Sequence, residues 1–264
     1  ANNTSSGTAI SGATNSSYSP PTNVTGTLYY YCIITQPNGP GCSVTSDVAT
    51  INISTAPTIN NQPSSSIVCL GQAATLMAFT VNNGVGTPNY QWYSNTTNST
   101  MGATLISTET NATFSPPTTT VGTMYYFCQV SFPTIVGACS VITTLPAEVI
   151  VNQTPIIASI TDVICSGNIF TISPTTTGTN IIPIGTTYTW TTPSIVPIGS
   201  VTGATAELTP QNTISQTLTN ITTSPATVTY TVTPTSGSCV GATVTVTVTV
   251  NPSITANEVV VNST

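Results

Sequence analysis

The chain repeats itself, and no other feature narrows its fold as much. Pro57 opens APTI, Pro155 opens TPII and Pro252 opens NPSI, in steps of 98 and 97 residues. Cys69 in VCLG and Cys165 in ICSG stand 96 residues apart. A pitch of ~100 residues is that of one β-sandwich module, and stacked copies of such a unit make an array. The start of the chain falls in register with its middle. Residues 10–32 and 106–128 share 13 of 23 aligned positions without a gap. The repeat predicts four pieces: the C-terminal half of a module at 1–55, complete modules at 56–153 and 154–251, and the first strand of another at 252–264. It therefore reads as a window on a longer array.

Inside a repeat the pattern is that of strands. Val244, Val246, Val248 and Val250 alternate with Thr243, Thr245, Thr247 and Thr249. A period of two puts Val on a core face and Thr toward water. Val228, Tyr230 and Val232 do the same one strand earlier, and Ser236-Gly237-Ser238 is the turn between the two runs. Met124, Tyr126 and Cys128 occupy the matching places one repeat before. Trp92 and Trp190 each fall on an earlier central strand, where a large ring fills the core of a sandwich. Trp92, Trp190, Tyr126 and Tyr230 are thus the expected core aromatics. Pro37-Asn38-Gly39 marks a turn between the last strands of the first piece. No run has a helical period. Little sequence separates Val151 from Pro155 or Val250 from Pro252, and linkers this short predict a stiff rod. Each module adds about 30–40 Å to it, given strands of ~8–10 residues at ~3.3 Å each.

Charge narrows the function. The 264 residues include no Lys, Arg or His, and only six acids: Asp47, Glu109, Glu148, Asp162, Glu207 and Glu258. Nucleic-acid binding needs cations to displace counterions, so it is excluded. A basic membrane-surface patch is excluded too. No run is long or apolar enough for membrane insertion as a helix. Catalysis by a His base, Lys nucleophile or Arg clamp has no residues to use, and the acids stand singly. The sequence therefore predicts no catalytic residue, no cofactor and no metal. Asp162 is the one acid near a junction, whereas calcium takes several carboxylates together. The missing Lys and Arg have two readings: drift in a Thr/Asn-rich repeat, or resistance to trypsin-like proteases, which nick exposed loops after those residues.

Seven cysteines remain, with no CxxC pair among them. Stapled repeats in an oxidising compartment account for them better than zinc does. Cys69 and Cys165 occupy one shared position, at the first corner; Cys139 and Cys239 occupy another, at the last hairpin. The first pairing to consider is Cys165–Cys239 with Cys69–Cys139, which leaves Cys128 and Cys32 as small buried hydrophobes and Cys42 without its partner. Against it, the first corner and the last hairpin of a sandwich lie at opposite ends, beyond the ~7 Å a disulfide spans. Two alternatives stay open: Cys128–Cys139 across the hairpin with Cys32–Cys42 as its copy, or Cys69–Cys128 on the Tyr-x-Cys pattern.

Two further patterns follow from composition. N-x-S/T triplets occur at Asn15, Asn23, Asn95, Asn98, Asn111 and Asn220, as expected where Asn and Thr abound. Tyr29, Tyr31, Tyr93 and Tyr125 are cross-strand packing residues that also have the chemistry to stack on a sugar.

The segments NYQWYSNTTNST, FSPPTTTVGTMYYFC and GACSV resemble Ig-like repeats of very large surface proteins of gliding bacteria. VICSG, IPIGTTYTWT, ATVTYTVTPTSGSCVGA and TVTVTV resemble the PKD-like repeats of the same group. The group is exported by the type IX secretion system, and SprB-type gliding adhesins belong to it. The resemblance implies an all-β array, Ig-like at 56–153 and PKD-like at 154–251, at the bacterial cell surface. It implies a non-catalytic stalk of an adhesin. Its partners would be neighbouring modules of the same chain, the secretion and gliding machinery, and an external surface or polysaccharide. Two other readings compete: a filament subunit whose strand Glu258–Asn262 completes the half module of a second copy, and a spacer or glycan-binding module of an exported enzyme.

Overall fold

A computed structural model describes residues 3–36, 41–133 and 140–254, and every regular element among them is a β-strand. The turn signal Pro37-Asn38-Gly39 lies wholly or partly outside the described residues, as do Cys139 and the strand expected at Glu258–Asn262.

The N-terminal piece forms β1 (Gly26–Tyr30), β2 (Ile33–Thr35), β3 (Ser43–Thr45) and β4 (Ala49–Ile53). They pair as two antiparallel ladders, β1 with β4 and β2 with β3. No residue of these four strands is buried, and Ile33, Ile34 and Val44 stand exposed.

A central strand set follows: β5 (Thr58–Asn61), β6 (Ser66–Cys69), β7 (Met77–Ala78), β8 (Thr80–Asn82), β9 (Asn89–Asn95), β10 (Thr104–Leu105), β11 (Thr113–Phe114), β12 (Gly122–Ser131), β13 (Val141–Thr143) and β14 (Ala147–Asn152). Its main sheet runs β10-β9-β12-β14-β6, with β13 also on β12, and β7–β11 and β5–β8 are separate ladders. The core is aromatic. Phe79, Trp92, Phe114 and Tyr126 follow one another at centroid distances of 5.8, 5.2 and 5.2 Å. Buried Trp92 satisfies its indole N–H on the Asn111 carbonyl at 2.9 Å.

The C-terminal strand set comprises β15 (Ile160–Cys165), β16 (Ile169–Ile172), β17 (Thr186–Trp190), β18 (Ser194–Val196), β19 (Val201–Thr202), β20 (Glu207–Gln211), β21 (Ile214–Thr217), β22 (Thr219–Asn220), β23 (Ala226–Ser236), β24 (Cys239–Val240) and β25 (Val244–Asn251). Its sheet runs β15-β25-β23-β17-β20, with β18 and β24 on β23, and β16–β21 and β19–β22 form the other ladders. Here valine supplies half of the core. Val228, Tyr230 and Val232 of β23 and Val244, Val246, Val248 and Val250 of β25 are buried, while the alternate Thr residues are not. Trp190 donates its indole N–H to the Thr205 carbonyl at 3.0 Å, as Trp92 does to Asn111.

The two main sheets thus share one strand order. In each, the first strand lies parallel to the last: β6 on β14, ending at Asn152 opposite Cys69, and β15 on β25, ending at Asn251 opposite Cys165. Contacts gather Ser65–Leu76, Ser115–Tyr125 and Glu148–Thr264 into one compact unit, and Ala1–Ser64, Met77–Phe114 and Tyr126–Ala147 into another. The corner that ends β6 therefore belongs to the same unit as the whole C-terminal set.

Candidate functional site

The most distinctive chemistry sits where β6 ends. Cys69 is its last residue, and the chain turns at once: Leu70 N–H donates to the Asn152 carbonyl at 2.8 Å, and Gln72 N–H to the Cys69 carbonyl at 2.8 Å. Gly71 makes the turn possible, because its φ of 79° lies in the left-handed region that side chains avoid. Its N–H is held by the Thr118 carbonyl at 2.9 Å.

Cys239 comes from the far end of the C-terminal sheet. β23 runs to Ser236, turns through Gly237-Ser238 and pairs Ser236 with Cys239. Gly241 then passes against the linker: a Cβ there would collide with the Pro155 carbonyl and the Pro234 ring. This hairpin is therefore fixed beside Pro155, three residues after Asn152, the ladder partner of Cys69. Cys69 and Cys239 are joined as a disulfide with Cα atoms 5.6 Å apart, within the reach of such a bond. The two ends are 170 residues apart in sequence, and closing a loop that long removes roughly 5 kcal/mol of unfolded-chain entropy.

This corrects the expected pairings. Cys239 is taken by Cys69, and Cys165 is exposed and unbonded. The reason is register. Cys165 lies opposite Asn251, where β25 ends beside Ala226, whereas Cys239 follows Ser236 at the other end of β23. The ten residue steps from 226 to 236 span about 33 Å, far too much for one bond. Cys69–Cys139 gives way to Cys69–Cys239 for the same bond, and so does Cys69–Cys128. Cys32–Cys42 fails on its ladder: Gln36 bonds Cys42 while Cys32 bonds Ser46, so the two are offset by four residues, about 13 Å. Cys128 faces Thr144, whose hydroxyl accepts its N–H at 2.9 Å, and its thiol is fully buried. Burial pushes that thiol up from 9.0 to about 11.

The other candidates take up structural positions. Trp92, Trp190, Tyr126 and Tyr230 are all buried. Burial raises the Tyr126, Tyr188 and Tyr230 hydroxyls above their ordinary value. Tyr93 stacks on Phe127 at 5.3 Å, and Tyr125 donates to Glu148 at 2.7 Å, which raises its own pKa through that bond. Tyr29 and Tyr31 line a shallow depression of about 260 Å³ with Gly7, Thr27 and Leu28. Among the described residues no three of His, Cys, Asp and Glu gather where a metal would sit, and no helix is long and apolar enough to cross a membrane.

Sequence reading missed Asn220. It stood as one N-x-T triplet among many, yet it is buried. Its side-chain amide donates to the Val250 and Ser224 carbonyls, each at 2.8 Å, and its oxygen accepts from Thr222. Ser166, next to Cys165, exchanges bonds with its backbone. Asn220 is the pin of the Cys165 corner. Its only sequence signal was Asn-x-Thr, which composition masked.

Fold and joint together define the class: an all-β chain of tandem strand sets that share one strand order, cross-linked by a disulfide from one repeat to the next. Comparison adds that residues 162–254 match the family model of the PKD-like domain. No curated protein matches the chain. Several solved structures are similar at low identity. Rst D1-D2 is 12% identical with a TM-score of 0.38, over 75% of this chain and 100% of that one. Sidekick-1 immunoglobulin domains 1-4 are 11% identical with a TM-score of 0.41, over 89% of this chain and 60% of that one. The three N-terminal domains of the bacteriophage RB49 Highly Immunogenic Outer Capsid protein are 10% identical with a TM-score of 0.36, over 87% and 89%.

Proposed function

We propose that this chain is a non-catalytic stalk segment of a large, secreted cell-surface adhesin of the gliding-motility type. The observation that carries the reading is the Cys69–Cys239 bond, which ties one repeat to the next rather than closing either on itself. A tie at a junction restrains bending between repeats, and a stalk that transmits load needs that restraint. A disulfide also fits an oxidising, extracellular setting. The surface supports the same reading: with no Lys or Arg, it offers trypsin-like proteases no site.

The exposed apolar residues Ile33, Ile34 and Val44 fit a sandwich whose other half is supplied by preceding sequence. The length of the mature polypeptide tests this directly. Denaturing electrophoresis of the surface-released protein, read against its open reading frame, should give a chain many times longer than 264 residues and rich in the same repeat. A mature chain of about this length would instead support a filament subunit completed by its neighbours. A catalytic domain on the same chain would support the spacer of an exported enzyme.

A further inference from the structure

The Cys165 corner repeats the turn of the Cys69 corner bond for bond at four places. Each cysteine ends the first strand of its sheet, opposite an asparagine of the last: Asn251 for Cys165, Asn152 for Cys69. Ser166 N–H bonds the Asn251 carbonyl at 2.9 Å, as Leu70 bonds Asn152. Asn168 N–H bonds the Cys165 carbonyl, as Gln72 bonds Cys69. Gly167 has a φ of 84° against 79° for Gly71, and its N–H reaches the Leu218 carbonyl as that of Gly71 reaches Thr118. One difference stands out: Cys69 is bonded, and Cys165 is exposed and unbonded.

The bonded corner shows what such a cysteine meets. It meets the last-hairpin cysteine of the repeat that starts at the next proline, because that hairpin lies beside the linker. The Cys165 corner has its own linker, Asn251-Pro252, two residues shorter than Asn152 to Pro155. Pro252 opens NPSI as Pro155 opens TPII.

We infer that the disulfide is a repeating joint, and that the Cys165 thiol bonds the last-hairpin cysteine of the sandwich repeat that follows in the same polypeptide. This rests on the array reading above. In the bonding step two S–H bonds break and one S–S bond forms. Two protons and two electrons pass to a protein disulfide of the thiol-oxidoreductase class, whose S–S bond breaks to give a dithiol. The same class of oxidant serves Cys69 and Cys239.

The test is peptide mapping of the native, full-length protein. Free thiols are blocked with iodoacetamide during unfolding, and the protein is digested without reduction. Chymotrypsin is used because trypsin has no site between residues 1 and 264. The expected result is a Cys165 peptide carrying no alkyl group, joined to a peptide from beyond residue 264 and released by reduction. A Cys165 peptide alkylated in full, beside an intact Cys69–Cys239 pair, would overturn the inference. So would Cys165 joined to any cysteine within residues 1–264, of the same copy or another. An open reading frame with no repeat after residue 264 would defeat both the inference and the array reading. A following repeat beside a free Cys165 would defeat the inference alone.

Discussion

The corners at Cys69 and Cys165 share one turn and differ in what closes it. Both end a first strand in parallel register with the last, and both turn on a left-handed glycine held by a facing carbonyl. One is closed by a disulfide and the other is held by Asn220 and Ser166. The difference teaches that the bond belongs to the junction and not to the sandwich. A C-terminal set with Cys165 unpaired still has a buried apolar core and a satisfied corner. What the disulfide adds is a covalent tie from one repeat to the next.

The largest test of this contrast is Cys239→Ser. Removing a bond that closes 170 residues should lower the unfolding free energy by up to about 5 kcal/mol, read by urea titration of the segment. An effect below ~0.5 kcal/mol, the range of a neutral surface change, would break the comparison. A second test separates the strand sets by pH. The Cys128 thiol titrates at about 11 when folded and at 9.0 ordinarily. Its neutral form is favoured by the fold, so its contribution is complete below pH 9 and is lost as pH rises to about 11. The C-terminal set has Val232 at that place, and its raised tyrosines, Tyr188 and Tyr230, have an ordinary value of 10.0. Alkaline unfolding should therefore begin about one pH unit lower in the central set. The two tryptophans report the sets separately, Trp92 in a Trp190→Phe variant and Trp190 in a Trp92→Phe variant.

Asn220→Ala comes next. It leaves the Val250 carbonyl without its side-chain donor and should cost about 1–3 kcal/mol. The Trp190 signal should report the loss, with the Cys69–Cys239 bond intact. The smallest effect is expected for Cys165→Ser in this segment, within about 0.5 kcal/mol, because the thiol is exposed and unbonded.

Much of the fold was legible in the sequence because its signals are local or periodic. The Val-Thr alternation of β23 and β25 fixed their inner faces, and the Trp at one place in each repeat marked a central strand. The parallel closure of β6 on β14 was not legible. Turn residues announce antiparallel neighbours, whereas this pairing joins strands with a whole sandwich between them. The disulfide was hidden for a related reason. Equivalence of positions shows that Cys69 matches Cys165 and that Cys139 matches Cys239, but a periodic sequence does not say which copy meets which. The sequence did expose the conflict, since a corner and a hairpin lie at opposite ends of one sandwich. Register resolves it: Cys69 lies opposite Asn152 at the start of the linker, and the Cys239 hairpin lies beside Pro155 in the same linker. Asn220 escaped because a buried pin and a surface Asn-x-Thr look alike where both residues are common.

The central claim is that the staple crosses a junction. It is tested most directly by chymotryptic mapping of the oxidised segment without reduction, with quantitation of the peptide that contains Cys239. This peptide is expected joined to the one containing Cys69, and both released by reduction. A peptide joining Cys239 to Cys165, the bond internal to one repeat, would contradict it.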